Sequence, residues 1–235
     1  MSAREPRSQA CGPRDPYKRR REAGRVSRED TQRRLLQSAD RLFRTNGYAQ
    51  SPVTAIAQGA GVSLQTLYLA WGSKRALLRA ATDAAASEGA LPLDADQWHT
   101  TVLENIVASS GASDRASDYL AGFARVFVRV AVRTAIYWRI NRDAAGVDEE
   151  VAAAWDELLR DRRATMNAVA ANIPRSGLRA DVSTQMIADT LWTLTSPDNY
   201  ALLTTLGGYT DHDVEQWSVR ILVAALTDDR APRAL

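Results

Sequence analysis

Residues 51–71 read Ser51-Pro52-Val53-Thr54-Ala55-Ile56-Ala57-Gln58-Gly59-Ala60-Gly61-Val62-Ser63-Leu64-Gln65-Thr66-Leu67-Tyr68-Leu69-Ala70-Trp71. Ser51 is placed to cap a helix, with Pro52 at the first helical position, where its missing N–H costs no hydrogen bond. Val53, Ile56, Ala57 and Ala60 recur at spacings of three and four and form a short apolar face. Gly59-Ala60-Gly61 supplies a tight turn. Ser63 caps a second short helix, Leu64 to about Trp71. Its Leu67 and Trp71 point one way, and Gln65, Thr66 and Tyr68 offer outward faces. Two short helices joined by a glycine-containing turn form a helix-turn-helix, whose second helix can enter the major groove of DNA.

Upstream, a helix is expected from Ser27, with Asp30 completing a capping box. Leu35, Leu36, Ala39, Leu42 and Phe43 mark its apolar face, and Asn46-Gly47 ends it. Arg33, Arg34, Arg41 and Arg44 lie off that stripe. Residues 1–26 hold Pro6, Pro13, Pro16, Gly12 and Gly24 with few large apolar side chains, and read as a disordered basic arm containing Lys18, Arg19, Arg20 and Arg21. Downstream, Gly72-Ser73 breaks the chain, and Lys74 to Ala86 forms a helix with Leu77, Leu78 and Ala81 inward. Further helices are expected over Asp118–Asn141, Asp148–Asn172, Val182–Thr195 and Asp211–Leu226. No alternating run argues for a strand. The fold class is therefore all-α: an arm at 1–26, a helix-turn-helix head at 27–73 and a helical body at 74–235.

Charge divides the chain in the same way. Residues 1–80 carry 16 Lys/Arg and 6 Asp/Glu, a balance of +10, and the remainder carries 14 and 22, a balance of −8. A basic head on an acidic body fits a nucleic-acid-binding module joined to a separate domain. The hydrophobic content of 45% is ample for a core. Cys11 is the single cysteine, so no intramolecular disulfide is possible, and a reducing, cytoplasmic setting is expected. No apolar run approaches the roughly 18–20 residues that a membrane helix needs.

The run Leu42-Phe43, Gly47-Tyr48, Val53-Thr54-Ala55-Ile56-Ala57, Ala60-Gly61-Val62-Ser63, Thr66-Leu67-Tyr68 and Gly72-Ser73-Lys74, followed by Leu77-Leu78, resembles the TetR family of transcriptional regulators in order and spacing. The C-terminal stretch Leu191-Trp192-Thr193-Leu194-Thr195-Ser196-Pro197 also looks like one branch of the family. The resemblance implies a homodimer built through the last two long helices, an operator DNA partner and a small-molecule effector held in the body. It also implies a repressor released from its operator by that effector. Four positions depart from the family pattern. Leu69 and Ala70 stand where an aromatic or histidine pair often meets phosphates, Trp71 replaces the usual phenylalanine, and Leu64 stands where lysine or arginine is common.

On these grounds the expected DNA-contacting residues are Ser51, Thr54, Ser63, Gln65, Thr66, Tyr68 and Lys74, with Arg19, Arg20 and Arg21 from the arm. Glutamine can bind adenine bidentately, while helix N-termini and ammonium groups suit phosphates. Aromatic residues and methionine suit an adaptable apolar cavity, which nominates Phe123, Phe127, Tyr137, Trp138, Trp155, Met166 and Trp192 for the effector. Arg125, Arg129 and Arg133 form a stripe read as a solvated helix face. His99 and His212 lack companions at ligand spacing, so no metal, cofactor or catalytic residue is assigned. No phosphate loop, nucleophile elbow or zinc helix motif is present, which argues against an enzyme. A non-specific architectural DNA binder is the competing binding class. The large acidic body argues against it.

Overall fold

The computed structural model describes residues 16–86, 95–111 and 113–228. Among them run ten α-helices and no strand: α1 (Pro16–Asn46), α2 (Val53–Gly59), α3 (Leu64–Trp71), α4 (Lys74–Ala86), α5 (Ala95–Ser109), α6 (Ala116–Ala145), α7 (Glu149–Ala171), α8 (Thr184–Leu194), α9 (Pro197–Thr205) and α10 (Asp211–Leu226).

The first helix begins earlier than its capping signal suggests. Ser27 is not a cap: its carbonyl accepts the Thr31 hydroxyl inside the helix, and Arg25 pairs with Glu29 one turn on. The reason is propagation. Once Leu35, Ala39 and Phe43 are buried, each added residue upstream costs little, and Pro16 suits the first turn. Residues 16–26 are therefore helical and not part of a disordered arm. The remainder of the expected arm, residues 1–15, lies outside the described residues.

The other boundaries follow side-chain caps. Asp148 accepts the N–H groups of Glu150 and Val151 to start α7, and Ser183 accepts that of Met186 to start α8. Thr210 and Asp213 form a reciprocal capping box on α10. Two helices escape the apolar-period reading. Among the described side chains of α5, Val102 and Ile106 are buried in the core with Leu103 packed against it, and of α9 only Tyr200 is buried. Ser196 and Pro197 start α9, where they satisfy the cap and first-turn preferences.

Three apolar clusters hold the molecule together. The body's largest joins α5, α6, α7, α8 and α10 through residues such as Leu120, Phe123, Met166, Ile187 and Leu222. A smaller one joins α6, α9 and α10 around Val128, Tyr200 and Val214. The head's cluster contains Leu35, Phe43, Ile56, Leu67, Leu77 and Leu78, and it also contains Tyr137, Ile140, Ala144 and Val151 from α6 and α7. Head and body thus share a core across the expected boundary at residues 73 and 74. Each fully buried leucine or phenylalanine there contributes about 1.5–3 kcal/mol relative to exposure.

Candidate nucleic-acid interface

Helix α3 is fixed on its inner side and at both ends. Leu67 is fully buried against the head core. At the start, Ser63 Oγ accepts the Thr66 N–H at 3.1 Å and lies 2.8 Å from the Thr66 hydroxyl. At the end, Trp71 Nε1 donates to the Gln32 carbonyl, and Gln32 Nε2 donates to that of Ala70. Gly72 closes the helix at φ +71°, a conformation that favours glycine. The preceding helix α2 is fixed to α1 in the same way. Ser38 Oγ donates to the Ile56 carbonyl at 2.9 Å, and Arg34 donates to that of Ala60 at 3.0 Å.

With its inner side held, α3 turns one face outward. At about 100° per residue, Leu64, Tyr68, Gln65 and Leu69 fall within an arc of roughly 140°. All four are exposed, while Thr66, Leu67, Ala70 and Trp71 fill the buried or half-buried remainder. Gln65 and Tyr68 were nominated from sequence. Leu64 and Leu69 were noted only as departures, yet the spacing 64, 65, 68, 69 carries the information that they share this face.

The other nominated residues divide. Thr54 and Ser63 are exposed near the starts of α2 and α3. Thr66 is half-buried and bonded to Ser63. Ser51 is a correction: it is 0% exposed, and its hydroxyl donates to the Gly47 carbonyl at 2.7 Å. It neither meets solvent nor caps α2, whose cap position is Pro52 without a side-chain bond. The turn at Gly47 needs a donor there, and Ser51 supplies it. Lys74 is half-buried with Nζ 4.1 Å from the centre of the Tyr48 ring, and burial lowers its pKa. Arg19, Arg20 and Arg21 fall in the first turns of α1.

Two tyrosine–aspartate bonds tie this head to the body. Tyr48, just after α1, donates to Asp148 Oδ2 at 2.9 Å at the start of α7. Tyr137 of α6 donates to Asp40 of α1, whose carboxylate also pairs with Arg44 at 2.9 Å. Burial and the neighbouring carboxylate raise both phenol pKa values, that of Tyr137 to about 12. Burial works against ionised Asp148. The bonds from Tyr48 and the Val151 N–H, with the Arg75 charge, nonetheless hold it below the usual carboxylate range. Arg75 also pairs with Glu150.

The seven nominated effector residues are spread over more than one apolar cluster. Phe123 and Met166 sit in the main body cluster with Trp192 against it, Phe127 in the smaller body cluster, and Tyr137 in the head cluster. Trp138 and Trp155 meet edge to face at 4.5 Å. Arg162 stacks 4.2 Å from Trp192 and donates to the Trp192 and Thr195 carbonyls. Desolvation lowers its pKa to about 10. A cleft of about 310 Å³ lies between α1, α4 and α6, and of the seven only Tyr137 lines it. Periodicity marks which residues face inward but not which helix they meet. The arginine stripe is also not a plain solvated face. Arg125 donates to the Ser109 carbonyl, Arg129 to the Ser109 hydroxyl and Arg133 to the Ala85 carbonyl, binding α6 to the ends of α4 and α5. Tyr119 and Ser218 carry hydroxyls that are buried without a hydrogen-bond partner.

Among the described residues, no group of three or more His, Cys, Asp or Glu side chains is arranged to hold a metal, and no helix is long and apolar enough to cross a membrane. The structure resembles several solved proteins. SmeT in complex with triclosan is 15% identical, with a TM-score of 0.59 over 85% of this chain and 92% of that one. NalD, the secondary repressor of the MexAB-OprM multidrug efflux pump in Pseudomonas aeruginosa, is 15% identical, with a TM-score of 0.53 over 86% and 98%. The flavonoid-responsive regulator FrrA is 20% identical, with a TM-score of 0.53 over 87% and 98%. Comparison with curated proteins gives no match.

A helix-turn-helix with an exposed second helix, built into an all-helical body, defines a DNA-binding transcriptional regulator. Residues 35–81, which span the helix-turn-helix, match the family model described as bacterial regulatory proteins, tetR family.

Proposed function

We propose that the protein is a dimeric repressor that leaves its operator when a small molecule binds in the body. The observation that carries this reading is the junction between head and body. The helix-turn-helix is not hung on a loose linker: it shares a core with α6 and α7 and is tied to them by Tyr48–Asp148 and Tyr137–Asp40. A ligand that favours one arrangement of α6 and α7 therefore also favours one placement of α3. The unpartnered hydroxyls of Tyr119 and Ser218 offer the body core donors that a ligand can satisfy. Burial holds the Tyr119 phenol neutral, with a pKa raised to about 12. The dimer pairs through α8 and α10. Gln65, Tyr68, Thr54, Ser63 and Thr66 meet DNA, with Lys74 and the cations of the first helix on phosphates.

The test is nuclease footprinting on DNA flanking the protein's own coding sequence. A short two-fold symmetric footprint is expected. Continuous coverage without sequence preference would mean an architectural DNA binder, and no protection at any concentration would remove the DNA-reading role.

A further inference from the structure

We propose that α3 reads A·T base pairs, with Gln65 taking adenine and Leu69 taking the C5-methyl group of thymine. The proposal rests on the DNA-binding reading above and deepens it. Its first support is what the reading unit lacks. The chain has no Asp, Glu, Lys, Arg or His between Arg44 and Lys74, so the entire helix-turn-helix is free of charge. In the major groove, guanine is read chiefly by Arg or Lys and cytosine by Asp or Glu. Neither kind of side chain is present on α2, on α3 or in the turn between them.

What remains on the exposed arc is one amide, one phenol and two leucines. An amide pairs bidentately with the N6 and N7 edge of adenine. Leu69 is 82% exposed, more than any other large apolar side chain described. Leu35, Leu67, Leu77 and Leu78 are buried in the head and Leu64 is only 38% exposed, so Leu69 stands out against the packing around it. Thymine alone among the four bases presents a methyl group in the major groove, which an apolar side chain can cover. Gln65 and Leu69 are four residues apart on the same face, about 6 Å along the helix axis. That spans about two base steps at roughly 3.4 Å each, so the two side chains reach neighbouring positions of one half-site. Ser63 and Thr66 bond to each other and compete little for bases. Affinity for phosphates then falls to the cations flanking the uncharged unit, on α1 and α4.

The full chain is first used to select sites from a randomised duplex pool. Each thymine of the enriched half-site is then replaced by deoxyuridine, which removes only the methyl group. At one thymine per half-site, the wild-type Kd is expected to rise about fourfold, the worth of one buried methyl. Leu69→Ala, a surface change checked for folding by circular dichroism, should bind thymine and uracil duplexes alike. Unchanged wild-type binding to every uracil duplex would overturn the proposal, as would a Leu69→Ala variant that keeps the discrimination. An enriched half-site with G·C at the contacted positions overturns it while leaving the DNA-reading role intact. A pool that yields no enriched sequence removes both.

Discussion

Tyr48 shows how one side chain can serve two domains. Its ring packs in the head cluster 5.8 Å from Phe43, and its hydroxyl reaches Asp148 in the body. The sequence identified Tyr48 only as part of the family pattern. Its partner is 100 residues away, and no local signal marks such a pair. Ser51 failed for a related reason: a Ser-Pro step reads as a cap, but the turn at Gly47 captured the hydroxyl first. Removing the Tyr48 hydroxyl tests the bond to Asp148. A carboxylate held below its unfolded pKa of about 3.9 adds stability at higher pH and loses it as pH falls through the folded value. Tyr48→Phe removes one of the bonds that depress Asp148. The variant should lose about 0.5–1.5 kcal/mol near neutral pH. The loss should shrink toward zero as pH falls through the acid limb below about 4. Urea denaturation at a series of pH values measures this, and a pH-independent difference would show that the bond does not involve the ionised form.

At the scale of elements, the helices with a strong apolar period were legible and the weak ones were not. The boundaries of α10 were read correctly, and those of α6, α7 and α8 within a few residues, because each buries a regular stripe. Helix α5 puts Val102 and Ile106 into the core and approaches α6 closely at Gly122. A Cβ added there would lie 2.7 Å from the Ile106 carbonyl oxygen and 3.0 Å from the Ser110 nitrogen. Both are backbone atoms, so the helices must separate to admit a methyl group. Gly122→Ala should destabilise the protein by about 1–3 kcal/mol despite the better helix propensity of alanine, lowering Tm in a calorimetric scan. A raised Tm would mean that α5 can give way without penalty. The first helix calls for a second test. Its N-terminal turns carry Lys18, Arg19, Arg20, Arg21 and Arg25 ahead of an uncharged reading unit. Deleting residues 1–25 should weaken DNA binding and flatten the dependence of log Kd on log salt by about 0.9 for each phosphate that the shortened chain no longer neutralises. Binding titrations over a salt series measure the slope, and an unchanged slope would place these cations away from DNA.

For the molecule as a whole, the shared core between head and body means that the placement of each α3 is set by how two bodies pair. One head presents a single short helix, too small an interface for tight specific binding alone. Two heads on one face of DNA need recognition helices about 34–36 Å apart, or a multiple of that, and only a rigid pairing of bodies can hold such a spacing. The pairing proposed above uses α8 and α10, and their outer faces suit it. On α10, Val214, Ser218, Leu222 and Val223 are spent on the body's own core, which leaves Gln216, Arg220 and Ala224 exposed along one side. On α8, Ile187, Ala188 and Leu191 turn inward, while Met186 stays 53% exposed. A charge placed at Ala224 meets water in a single chain but would be buried against a partner, where an unpaired carboxylate costs several kcal/mol. Ala224→Glu should therefore leave the far-ultraviolet circular dichroism and the folding of each chain unchanged. Light scattering should show the mass fall from two chains to one at micromolar concentration. Binding to a two-fold symmetric site should weaken toward that of an isolated half-site, and spacer changes between half-sites should no longer matter. An Ala224→Glu protein that stays dimeric with full affinity would put the pairing surface elsewhere on the body.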